Sequence, residues 1–394
     1  MIIRARSVVT MDGARIANGA VAVAGTRIAD VGTWSEVRSR NTGEVVDLGE
    51  VSLLPGLINA HCHLDYTDMR GAIPPPNSFA SWIRAINAHK ATWSEADYLR
   101  SISNGIAEAA RFGTTTIANL EAIPSLIADV PTAQMRVYWF PELIDVREPV
   151  SARKAFDTAA GGLAPHAPYT ASRRLYEAVA DVVRGQNAIA TTHLAESREE
   201  MEMFRHARGP LFDLLSEIGR PMDDCGAMSP LELLLDRHVL DERWLIAHFN
   251  ELTPHDFVRL ERAPRFHIVH CPRSHAYFGH SPFALRKLRE LGFNICVGTD
   301  SLASNGDLSL LAELRQLRRN EPSLSARELL AMVTTRAAAA LRQEHAIGRI
   351  APRYLADLIA IPFAGKADDA FENAVECTAK TEWRMVNGEV GFPR

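Results

Sequence analysis

The stretch Leu54-Pro55-Gly56-Leu57-Ile58-Asn59-Ala60-His61-Cys62-His63-Leu64-Asp65 constrains this chain more than any other, because an apolar run carries two histidines at alternate positions and ends in a carboxylate. Alternate residues of a β-strand share a face. If the run is a short buried strand, His61 and His63 point together at its exit while Cys62 points away and packs behind them. Two neighbouring imidazoles can bind one metal ion. With 14 histidines in 394 residues, a His-x-His pair arises by chance about half the time, so the weight falls on what the later segments carry.

From Gly56 onward, short apolar runs alternate with amphipathic segments, the rhythm of repeated βα units around a parallel sheet. Eight runs can be counted: Leu57–His63, Thr114–Leu120, Arg136–Leu143, Gly162–His166, Ala188–His193, Trp244–His248, Phe266–Cys271 and Phe293–Asp300. Helices are expected at Glu95–Phe112, Ser172–Val183, Pro230–Leu235, Pro282–Leu291 and Leu308–Arg319, several of them stopping near a glycine. Eight repeats over about 290 residues is the size of a TIM barrel. Residues 1–55 and 350–394 read instead as short strands with tight turns, including the Asn387-Gly388 signal of a two-residue hairpin. The expected fold is α/β: a TIM (β/α)8 barrel over 56–349, flanked by a small β-sandwich built from both termini.

A net charge of −5 offers no basic field to hold a phosphate backbone. No stretch approaches the length of a membrane span, and the amino terminus lacks the apolar core of a signal peptide. A cytoplasmic protein with a small-molecule substrate is expected, without nucleic acid or membrane, and compatible with a homodimer. The five cysteines are scattered and form no Cys-x-x-Cys, so neither a disulfide framework nor a structural zinc knuckle is indicated.

Chemistry in a TIM barrel sits at the carboxy-terminal ends of the strands. Here those ends carry His61 and His63, His166, His193, His248 and Asp300. Any one of them alone is more simply a hydrogen-bonded core residue, but scatter rarely puts polar groups at the same end of so many runs. Three imidazoles and one carboxylate suit a catalytic zinc ion, which leaves one position open, so His61, His63, His193 and Asp300 are the expected ligands. Iron or manganese tolerates the same donors. Glu196, three residues past His193, is placed to shuttle protons, His248 to orient the attacking oxygen, and His166, in a loop stiffened by Pro165 and Pro168, to touch substrate.

With these residues in view, the chain resembles the amidohydrolase superfamily, in the branch of deaminases and chlorohydrolases. The matching pieces are Pro55-Gly56-Leu57-Ile58-Asn59-Ala60-His61-Cys62-His63, Pro165-His166-Ala167-Pro168-Tyr169-Thr170, His193-Leu194-Ala195-Glu196, Ala247-His248 and Gly298-Thr299-Asp300-Ser301. The resemblance implies a barrel with a composite β-sandwich, one metal on His61, His63, His193 and Asp300, catalysis by Glu196, His248 and Asp300, and hydrolytic loss of ammonia from an aromatic ring. Members with two metals carry a lysine at the fourth strand end, and none stands here. Narrower likenesses, in Pro74–Ile83, Cys271–His280 and Thr299–Asn305, are to the deaminases of 6-amino-6-deoxyfutalosine on the route to menaquinone. That substrate carries a benzoate, so Arg84 or Arg273, with Trp82, would meet it. Asp65 and Phe249 depart from the usual pattern and bear on the pocket's shape. The rival expectations are removal of chloride or an acyl group by the same site, or a barrel that binds without catalysis.

Overall fold

Each of the eight apolar runs becomes a strand of one parallel sheet. The computed structural model describes residues 1–157, 161–363, 365 and 369–391, so residues 392–394 of the carboxy-terminal stretch lie outside the described residues. The amino-terminal residues form β1 (Ile2–Val8), β2 (Ile16–Ala24), β3 (Arg27–Thr33), β4 (Val45–Asp47) and β5 (Val51–Pro55). The barrel follows as β6 (Leu57–His63), β7 (Thr114–Glu121), β8 (Arg136–Leu143), β9 (Gly162–Pro165), β10 (Ile189–Leu194), β11 (Trp244–His248), β12 (His267–His270), β13 (Asn294–Val297) and β14 (Asp300–Ser301). The chain then returns as β15 (Leu358–Pro362), β16 (Trp383–Val386) and β17 (Glu389–Gly391).

The strands from both termini join in one eight-stranded sheet, with β15 antiparallel to β5 and β16 turning into β17 through Asn387-Gly388. Both turn residues have positive φ (50° and 76°), the geometry that an Asn-Gly hairpin supplies at little cost. This sheet has its own core, which includes Ile3, Val8, Val21, Leu53, Leu358 and Met385.

Barrel closure depends on a break in the last run. The expected strand Phe293–Asp300 is interrupted at Gly298-Thr299, so that β13 pairs with β12 and β14 pairs with β6. A Cβ at Gly298 would lie 2.6 Å from the His61 carbonyl oxygen, so only glycine lets the eighth strand approach the first at this seam. One buried cluster draws side chains from all eight strands, among them Ile58, Leu120, Phe140, Ile189, Leu245 and Cys296. Only a barrel interior collects such a set. Outside, helices such as Arg173–Gly185 bury Leu175, Tyr176, Val179 and Val183 against the strands.

Two expected helices start later than their prolines or leucines suggest. Helix Leu285–Glu290 leaves Pro282 and Phe283 outside, where Phe283 stacks on His270 with ring centres 4.0 Å apart. Helix Leu310–Asn320 begins where Ser309 accepts from the Ala312 N–H. Helix Phe79–Lys90, which begins three residues after Pro76, is not among the expected helices. Among the described residues, no helix is long and apolar enough to cross a membrane.

Candidate metal centre and its cavity

The strand exits bring the expected ligands to one point. His61 and His63 leave β6, with their rings 5.0 Å apart, and Cys62 packs behind them against Leu64, Ile102 and Ile106. His193, at the end of β10, puts its Nε2 3.1 Å from His63 Nε2. Asp300 Oδ1 lies 3.7 Å from His61 Nε2 and 3.9 Å from His63 Nε2. His248, at the end of β11, stacks on His193 at 5.3 Å and stands 3.6 Å from Glu196 Oε1. Three exit residues, His248, Asp300 and Ala195, hold φ between 51° and 69°, a conformation that bulky side chains seldom adopt and that surrounding structure must enforce.

Supporting contacts aim these groups. His193 Nδ1 lies 2.8 Å from the His166 carbonyl, so that nitrogen carries the proton and Nε2 presents its lone pair. The Ser274 and Ser304 hydroxyls donate to Asp300 Oδ2 at 2.6 and 3.1 Å, leaving Oδ1 to face the imidazoles. Glu200 accepts from the Ala195 and Glu196 N–H groups at 3.2 and 2.7 Å and fixes the turn that carries Glu196. Both ring nitrogens of His61 and Nδ1 of His63 are buried without a partner within hydrogen-bond distance. Buried polar atoms are rarely left unsatisfied, so this donor set fits a cation that accepts nitrogen and carboxylate ligands.

Electrostatics agree with that donor set. Burial, reinforced by the other imidazoles, keeps His63 and His248 neutral far below the ordinary histidine range, and it pushes His193 down to about 3. Neutral rings are the form that binds metal. Burial alone would raise Asp300, but its contacts with His61, His248 and His63 outweigh it and hold the carboxyl well below its usual range. Glu196 goes the other way: burial first, then Asp300 and Glu200, raise it well above the ordinary value. The two carboxyls of the floor are shifted apart, Asp300 towards its ionised form and Glu196 towards its protonated one, the direction that separates base from acid.

Above the floor opens a cavity of about 270 Å³, a size for a small molecule. Trp82 lines it, as do His63, His166, His193, Glu196, His248 and Asp300. Arg84 and Arg273 do not. Arg84 points outward, 54% exposed, and pairs with Glu217. Arg273 pairs with Asp307 at 2.6 Å, and its backbone N–H donates to Glu313, so its place is structural. Asp65 and Phe249 also lie outside the lining: Asp65 is fully buried behind the site, and Phe249 packs on Phe266 in the shell between barrel and helices.

The cations that do line the cavity are Lys90 and Arg147. Lys90 donates to the Tyr66 hydroxyl at 2.8 Å, and the Tyr66 ring stacks on His63. Helical spacing contains the signal for Lys90. Trp82, Ile83, Ile86, Asn87 and Lys90 recur at helical intervals and line one face, while Arg84, two residues past Trp82, falls on another. Arg147 comes from an irregular segment after β8, and no periodic pattern marks it.

A family model described as "Amidohydrolase family" matches residues 52–390, and a shorter one, "Imidazolonepropionase-like composite domain, bacteria", matches residues 19–42 in the terminal sheet. The 5'-deoxyadenosine deaminase of Methanothrix thermoacetophila is 27% identical over 80% of this chain and 73% of its own length. The aminodeoxyfutalosine deaminase of Deinococcus radiodurans is 28% identical over 79% of this chain and 78% of its own. Among solved structures, Helicobacter pylori aminofutalosine deaminase in complex with methylthio-coformycin superposes with a TM-score of 0.86 at 20% identity, covering 99% of this chain and 100% of that one. An adenosine deaminase from Xanthomonas campestris with bound zinc gives 0.83 at 22% identity, covering 99% and 92%.

Proposed function

We propose that this chain, which belongs to the amidohydrolase family, is a hydrolytic deaminase of the adenine ring in a nucleoside altered at its 5' end, with one divalent ion, zinc in the first instance, on His61, His63, His193 and Asp300. The observation that carries the reading is the convergence of His61, His63, His193 and Asp300 at the strand exits, with His248 and Glu196 beside them, beneath an aromatic-walled cavity. When bound, the ion supplies Lewis acidity that activates water near neutral pH. Asp300 accepts a proton from the attacking water. Glu196, whose burial favours the protonated form, gives its proton to the ring nitrogen beside the carbon under attack. His248 donates a hydrogen bond to the incoming oxygen, and the tetrahedral carbon collapses with the amine leaving as ammonia, which takes up the proton Asp300 held. The proton of the added hydroxyl passes to Glu196 as the ring carbonyl forms.

Within this class we favour 6-amino-6-deoxyfutalosine, and hence a place in menaquinone biosynthesis. Support comes from the relative of that name and from Arg147 at the cavity wall, where a carboxylate at the far end of the substrate would find a guanidinium. The test is ammonia release from aminodeoxyfutalosine, 5'-deoxyadenosine, methylthioadenosine and S-adenosylhomocysteine, beside chloride release from a chlorotriazine. Ammonia from at least one nucleoside is expected; chloride release with four inert nucleosides would overturn the reading.

A further inference from the structure

The cavity wall is seated by a carboxylate from across the barrel mouth. Helix Phe79–Lys90 contributes Phe79, Trp82, Ile83, Ile86, Asn87 and Lys90 to the lining, so its orientation sets the width of the cavity. The first N–H groups of a helix have no partner within it. Here Ser78 Oγ accepts from the Ser81 N–H at 3.3 Å, and the two oxygens of Glu199 accept from Phe79 and Ala80 at 2.8 and 2.9 Å. Glu199 stands three residues after Glu196, on helix Arg198–His206 that follows β10. A carboxylate at a helix amino terminus gains from the helix dipole and from charge-assisted hydrogen bonds.

We infer that Glu199 is a positioning residue that locks the substrate-facing helix to the strand exit carrying Glu196. Other ties act along the segment, among them the exposed Arg84–Glu217 pair to helix Pro210–Glu217. The Tyr277 hydroxyl sits 3.0 and 2.9 Å from the carbonyl oxygens of Ile73 and Pro74, upstream of the helix, and Lys90 reaches Tyr66 at its far end. Phe79 and Trp82 rest edge-on against Phe278 at 5.5 and 5.1 Å, contacts that slide more readily than a two-point cap breaks. Glu199 supplies the hydrogen bonds that join the start of the wall to the chain segment that bears the proposed acid, beside the packing of Phe79 and Ala80 on Met203 and Phe204.

The kinetic consequence rests on the nucleoside-deaminase reading; the structural one does not. In the full-length, metal-replete enzyme, Glu199→Ala raises KM for a 5'-extended adenine nucleoside by about tenfold, equivalent to roughly 1.4 kcal/mol. The change in kcat stays below about threefold, because a wall that holds ground state and transition state alike affects binding alone. Metal content is unchanged, and amide exchange quickens in residues 79–90 but not in β7. Glu199→Gln, which keeps one acceptor oxygen, falls between. Glu202→Ala, which frees Arg208, behaves as the native enzyme. Unchanged KM with unchanged protection of 79–90 would overturn the assignment. So would a fall in kcat without faster exchange there, or faster exchange throughout the barrel. If no nucleoside is turned over, the functional reading fails while the exchange result still decides the role of Glu199.

Discussion

The floor of the cavity and its wall are held by different means. The floor gathers residues from the exits of β6, β10 and β11, strands fixed by ladders of hydrogen bonds on both sides, and of β14, which pairs with β6. The wall comprises helix Phe79–Lys90, Leu214 and Leu215 of helix Pro210–Glu217 and irregular segments such as that of Arg147, and its main helix is held through side chains: Glu199, Tyr277, Lys90 and a cluster of aromatic and aliphatic groups. Rigid strand ends suit chemistry, which tolerates little displacement, whereas loops can change without disturbing the barrel and suit selection of the substrate. Substitutions in the floor are therefore expected to act steeply on turnover, and those in the wall gradually on KM.

The steepest effect is expected at Glu196. Glu196→Gln lowers kcat by about a thousandfold or more, the scale of general acid catalysis, while bound metal, measured by elemental analysis, stays in place. One step out from the floor, Ser274→Ala removes a hydrogen bond that holds Asp300 Oδ2. It is expected to weaken metal affinity some 10- to 100-fold in competition with a chelator. In the wall, Arg147→Gln raises KM about tenfold for a substrate with a terminal carboxylate and leaves 5'-deoxyadenosine within about twofold, as steady-state kinetics will show.

Behind the wall, burial lifts Glu121 from its ordinary 4.5 to about 8. A carboxyl raised in the folded state stabilises the fold in its protonated form. That contribution is complete below about 4.5 and is lost as pH rises towards 8, at up to roughly 1.4 kcal/mol per pH unit. Glu121→Gln should flatten the decline of stability across this window in denaturant titrations. Least affected is Arg84→Gln, since the exposed pair with Glu217 is worth at most about 1 kcal/mol and touches no part of the cavity. A marked rise in KM for that variant would place the wall wrongly.

The same contrast explains what could be read from the chain alone. His61, His63, His193, His248 and Asp300 stand at the ends of apolar runs, and a parallel barrel sends all such ends to one face, so their meeting was legible before any coordinates. The wall was not. Helix Phe79–Lys90 starts three residues after Pro76, and the group that caps it, Glu199, lies 120 residues further along the chain, where no local pattern can point to it. Without that helix, Arg84 looked as near to substrate as Trp82; on the helix the two diverge, and Lys90 takes the inward position. The break at Gly298-Thr299 was likewise hidden, because its cause is the closeness of the His61 backbone in a strand more than 200 residues away.

The most direct test is a titration of zinc into metal-stripped enzyme, followed by ammonia release from 5'-deoxyadenosine. Activity that rises linearly and breaks at one equivalent per chain is the expected result. Full activity in the stripped protein, or a break at two equivalents that would bring Glu142 and His166 into a second site, would contradict a single ion held at the strand exits.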